Sequence, residues 1–180
     1  MNLDIIMNTE VKFISADEHV QEHPQVWTKR LSRAKWGERI PHIERNSNGA
    51  ERWLVDGRAI DLAGVADCGA AMAERTKNPQ RWADVPAAVY DPKERLQAMD
   101  AAGIDYAVLY PTVAGVGGQS FGRIEDPELE LACVEAYNDW LLDEWAAPAS
   151  VSSLSASRRS IRSTLLCRRF AAVWPMVIVA

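Results

Sequence analysis

Hydrophobic and polar positions along the chain alternate between short runs and one clear helical stripe. Residues 12–16 (KFISA) form a β-prone run that ends in Asp17-Glu18-His19, which predicts a buried strand. Residues 20–39 are mixed and polar, with Pro24, Trp27 and Trp36, and read as a long loop with some helix. Two turn signals follow, Asn46-Ser47-Asn48-Gly49 and Asp56-Gly57, separating 40–45, 52–55 and 58–61. That pattern predicts a small antiparallel meander. Residues 62–90 are Ala-rich and irregular, with short helical pieces.

The second half has cleaner signals. Asp91-Pro92-Lys93-Glu94 supplies an N-cap, a proline at the first helical position and an acid at N3. Leu96 and Met99 give the apolar face, and Gly103 stands where a C′ residue belongs. Residues 106–110 (YAVLY) are a continuous apolar strand stopped by Pro111, a pattern that suits a strand covered on both faces. Gly115, Gly117, Gly118 and Gly122 make a loop. Asp126-Pro127-Glu128 then opens a second helix. Its stripe of Leu129, Ala132, Cys133, Ala136, Tyr137, Trp140 and Leu141 lies on one helical face. This helix is expected to run to about Ala146 and stop at Pro148. Strand, excursion, helix, strand, helix is the order of βα units and a parallel sheet, and no repeat of 20–50 residues is visible.

Composition narrows the class. The chain has 180 residues, 48% hydrophobic and 25% charged, which suits a globular domain large enough to bury a core. A net charge of −5 speaks against nucleic acid as a partner. Cys68, Cys133 and Cys167 form no CxxC pair and are odd in number, which points to a reducing, cytoplasmic setting. The first ten residues lack the basic and apolar regions of a signal peptide. The C-terminal apolar run FAAVWPMVIVA is too short to span a bilayer, so no membrane is expected. The charge is uneven, however. All 25 acidic residues fall in residues 1–149, whereas 150–180 carry five arginines, no acid and seven serines between Ser150 and Ser163.

One constellation carries chemistry. Alternate residues of a strand share a face, so Asp17 and His19 are expected on one side and Glu18 on the other. A carboxylate and an imidazole together are competent ligands for Zn, Mn or a similar divalent ion. D-x-H is also a common tripeptide, and the plainer reading is a polar strand end with a hydrogen-bonded histidine. Other candidates have bland readings. His23 and His42 match no ligand position. The glycine loop is not GxGxxG and reads as a mobile loop rather than a phosphate cradle. Cys133 reads as core, Asn138 and Asp139 as structural, and Trp27, Trp53 and Trp82 as packing before pocket.

Taken in order, ISADEHV, the meander with RWLVDGR, DPKERLQAMDAAGIDYAVLYPT and DPELELACVEAYNDWL resemble the amidohydrolase-related family, in particular its aminocarboxymuconate-semialdehyde decarboxylase-like branch. The resemblance covers about residues 11–148. It implies an α/β fold: the N-terminal part of a metal-dependent (β/α)8 TIM barrel with the meander inserted after strand 1. It implies a divalent metal, Zn or Mn, with Asp17 and His19 as the first two ligands, bound weakly or not at all here. It also implies a hydrolase or a carboxy-lyase (decarboxylase) acting on a small molecule, with the catalytic residues downstream and the intact protein a homo-oligomer. A barrel takes about 250 residues. The expectation is therefore a fragment, with 1–149 as the barrel part and 150–180 as an anomalous Ser/Arg-rich tail, out of frame or natural. The alternatives are an inactive truncated product and a small binding module. A barrel cut after two strands should leave one edge of YAVLY open, show Leu129, Tyr137 and Trp140 to water, and leave the tail disordered or in an unrelated helix.

Overall fold

The computed structural model describes residues 12–60, 62, 64–66, 78–115, 118–146 and 177–179. Two three-stranded sheets organise it. The first contains β1 (Ile14–Val20), β5 (Tyr106–Pro111) and β6 (Val177–Val179), in the order β1-β5-β6. The second is an antiparallel meander of β2 (His42–Arg45), β3 (Glu51–Val55) and β4 (Arg58–Ala59). The fold is thus mixed α/β, with a parallel pair at its centre and antiparallel strands beside it.

Strand β1 pairs with β5 in parallel, and the intervening chain holds the meander and helix α3 (Pro92–Ala102). Parallel strands need such a crossover, because a tight turn can only return antiparallel. The Asp91 carboxylate caps α3 by accepting from the backbone N–H of Lys93 and Glu94. Gly103 ends it in the left-handed region at φ 69°. The Gly103 N–H donates to the Asp100 carbonyl and the Ile104 N–H to the Met99 carbonyl, the two bonds of a Schellman motif. Helix α4 (Pro127–Trp140) is capped in the same way by Asp126 and runs on into a π-helical segment, Leu141–Ala146. Pro148 lies outside the described residues, as do 150–176 of the tail.

The meander forms where the turn chemistry puts it. Asp56 at φ 51° and Gly57 at φ 71° make the two-residue turn between β3 and β4, where both central residues need positive φ. Short helices α1 (Gln25–Thr28) and α2 (Arg33–Trp36) precede it.

Three expectations change. The KFISA run is not a buried strand: the strand begins at Ile14 and extends through the Asp-Glu-His triplet, and Phe13 and Ile14 are 63% and 64% exposed. An apolar residue is buried only when a neighbour covers it, and β1 has a strand on one side only among the described residues. The β5 edge is not open either, because the apolar β6 pairs with it antiparallel, Val108 facing Ile178. Unpaired strand edges recruit whatever β-prone segment is at hand, and here the tail supplies one. Third, Leu129, Tyr137 and Trp140 are buried, at 0%, 0% and 1% exposure. Helix α1 covers that face through Val26 and Trp27, and the Trp27 ring also packs edge-on against Trp53 and Phe121. Ion pairs Lys35–Glu128, Arg39–Asp126 and Arg58–Glu125 tie the excursion and meander to α4 and its approach.

Candidate functional site at the carboxyl ends of the parallel strands

Buried polar and charged side chains are expensive unless satisfied. Four of the five among the described residues, Gln21, Glu22, Arg95 and Thr112, gather at the carboxyl ends of β1 and β5. The fifth is Asn138.

The register sets which way the strand end faces. Glu18 stands beside Leu109, His19 beside Tyr110 and Val20 beside Pro111. Leu109 and Val20 are fully buried, so Glu18 shares the core-facing side. His19 shares the other side with Tyr110, their ring centroids 6.1 Å apart. The expectation that Glu18 and His19 point apart therefore agrees with the register. Asp17 is less simple. A register shift between Ser15 and Glu18 places two β1 residues, Ala16 and Asp17, where β5 supplies one. Strict alternation is lost there, as the 2.7 Å hydrogen bond from Ser15 Oγ to Glu18 Oε1 also shows. Asp17 is exposed and outside the ladder, and His19 is half-buried.

Arg95 of α3 reaches under this strand end. Its Nη1 donates to Glu18 Oε2 at 2.9 Å, its Nη2 to the His19 carbonyl at 2.6 Å and its Nε to the Ala88 carbonyl at 2.8 Å. Glu22, just past β1, binds the turn after β5. It accepts from the backbone N–H of Val113 at 2.9 Å, Thr112 at 3.3 Å and Ala114 at 3.4 Å. Thr112 Oγ1 returns a bond to the Val20 carbonyl at 2.9 Å. Burial pushes the Glu22 carboxyl from 4.5 up to about 7, although backbone hydrogen bonds from Val113, its own N–H, Ala114 and Thr112 pull the other way. Burial, helped by the charge of Glu22, also raises the Tyr137 phenol well above its ordinary value.

The remaining candidates take local places. His23 Nδ1 accepts from the Gln25 N–H, its ring lies against Trp82 and Tyr90, and burial, then Lys29, lowers its pKa. His42 Nδ1 meets the Ile40 carbonyl at 2.7 Å. Cys133 is buried, and burial pushes its thiol up to about 12, so it is core and no nucleophile. Trp27 and Trp53 are core, and each indole N–H donates to a backbone carbonyl. Asn138 is buried, and among the described residues its amide has no hydrogen-bond partner. At the described ends of the glycine loop Val113, Ala114 and Phe121 lie in the core, and Gly117 falls outside the described residues.

Sequence reasoning missed Arg95, Glu22 and Thr112. A signal existed for Arg95: it lies four residues before Met99, on the face that α3 buries. Nothing in the sequence separates Glu22 from the acids around it.

A carboxylate and an imidazole are the right donor types for a borderline divalent ion, but two donors do not make a tight site. Among the described residues no group of three or more His, Cys, Asp or Glu side chains could hold a metal ion. Asp17 and His19 by themselves offer two donors, fewer than the three or four of a tight site. Among the described residues no helix is long and apolar enough to cross a membrane.

No family profile matches the chain, and no curated protein does. Solved structures do. An amidohydrolase of Mycobacterium avium subsp. paratuberculosis K-10 aligns over 87% of this chain with a TM-score of 0.55 and 19% identity. The alignment covers 47% of that protein, so the chain spans about half the length of the solved relative. At that identity the likeness concerns backbone architecture, and the conclusion it carries is that this chain shares the fold of one half of an amidohydrolase.

Proposed function

We propose that the chain is the amino-terminal part of a TIM-barrel, metal-dependent enzyme of the amidohydrolase-related type, acting on a small molecule by hydrolysis or decarboxylation. The observation that carries this is the parallel β1–β5 pair with an acid-x-His triplet at its carboxyl end. Active sites of (β/α)8 barrels are built at that end of the strands. The likeness to a solved amidohydrolase supports the same architecture. In this reading Asp17 and His19 contribute two ligands for Zn or Mn. Such an ion, when bound, supplies Lewis-acid polarisation and lowers the pKa of water. The chain's own residues hold the strand end in place: Glu22 and Thr112 lock the segments after β1 and β5 together, and Arg95 holds Glu18 and His19 from below.

A second reading, a non-catalytic binding module, has its own support. β6 covers the β5 edge and α1 covers the α4 stripe, so the chain buries much of its core unaided.

Isothermal calorimetry with Zn or Mn separates the two. The enzyme reading expects binding no tighter than micromolar by this chain, lost in both His19→Ala and Asp17→Ala. No heat at millimolar metal would favour the binding module. A nanomolar site abolished by His19→Ala would mean that this chain supplies a complete metal centre, against the reading of a partial one.

A further inference from the structure

We propose that Arg95 is a positioning residue for the strand end: by holding Glu18 and the His19 main chain it sets the direction of the His19 imidazole. The inference rests on reading His19 as a ligand.

The register shift at Ala16–Asp17 interrupts the β1–β5 ladder immediately before Glu18. Among the described residues β1 has no strand on its other edge. The segment carrying His19 is thus tied to the sheet on one side only, and just past an irregularity. Arg95 supplies the missing constraint. It is 8% exposed, and its guanidinium spends N–H groups on a side chain, on the main chain of the next residue and on the Ala88 carbonyl. Glu18 is held at both oxygens, by Arg95 and by Ser15. Because Glu18 and His19 are consecutive strand residues, drawing Glu18 to the helix side turns His19 to the opposite face, beside Tyr110. A lysine cannot replace the fork, since one ammonium does not span three acceptors in a fixed plane.

The test uses the full chain with labelled histidine, following the His19 ring by NMR in the wild type, Arg95→Lys and Arg95→Met. Two readouts are taken: the nuclear Overhauser contact between the His19 and Tyr110 rings, and the midpoint of the His19 shift on titration with zinc chloride. Arg39→Met, which cuts the ties to Asp56 and Asp126 in the meander and α4, is the control for general loosening. The expected result is that both Arg95 variants lose the ring contact and weaken the zinc midpoint about 10- to 100-fold, the usual effect of removing a group that orients a ligand. Arg39→Met should leave both readouts unchanged. If the Arg95 variants keep the ring contact and a midpoint within about twofold of wild type, the positioning role is overturned while the ligand reading stands. If the wild-type His19 signal ignores millimolar zinc, the ligand reading falls, and the ring contact alone judges Arg95. Should Arg95→Met not fold, Glu18→Leu removes the carboxylate that accepts from Arg95 and Ser15, and an unchanged ring contact there would overturn the proposal.

Discussion

The Trp27 indole N–H donates to the main-chain carbonyl of Cys133, 3.0 Å away in the core. The bond joins α1 to the middle of α4, 106 residues later. It explains why the α4 stripe is not exposed. The surface of Leu129, Tyr137 and Trp140 that the barrel reading left facing water is buried in the same core as the excursion after β1.

Trp27 is therefore a strong stability determinant. Trp27→Ala is expected to cost about 3–5 kcal/mol, the usual cost of emptying a buried aromatic site. Trp27→Phe keeps most of the packing but leaves the Cys133 carbonyl without this donor, for a loss of about 1 kcal/mol. Urea unfolding followed by tryptophan fluorescence measures both. A Trp27→Ala midpoint equal to wild type would mean that the excursion does not support α4.

Glu22 predicts a pH dependence of stability. Its folded pKa, about 7, lies above the 4.5 expected of an unfolded glutamate. The folded state therefore holds the proton more tightly. The associated stability is fully present below pH 4.5 and is lost as pH rises through 7. The difference is on the order of 3 kcal/mol. Glu22→Gln, always neutral, should flatten that part of the melting-temperature profile between pH 4.5 and 8. A profile with the wild-type slope in this variant would assign the effect to another group.

Strand β6 predicts a change in association. Ile178→Pro removes an N–H from a three-residue strand and disfavours its pairing with β5. The exposed β5 edge should then recruit further copies, seen as larger species in size-exclusion chromatography with light scattering. A variant that remains the same size as wild type and melts at the same temperature would show that β6 does not protect the edge.

Local chemistry alone determined a good part of this protein. Asp91 and Asp126 cap their helices, Gly103 closes one, Asp56-Gly57 turns the meander, and β5 stands where YAVLY predicts a strand. Each depends on a few neighbouring residues whose backbone preferences and hydrogen bonds do not wait for distant partners. Tertiary structure decided the rest. The Ser15–Glu18 register shift took Asp17 out of strict alternation, and such a shift arises only when one strand is laid against another. Arg95 and Glu22 matter because chain 76 and 91 residues away brings a carbonyl and an N–H group to them. Burial of the α4 face and cover for the β5 edge likewise depend on which distant segment arrives. A sequence pattern states that a face needs covering; only the assembled chain determines what covers it.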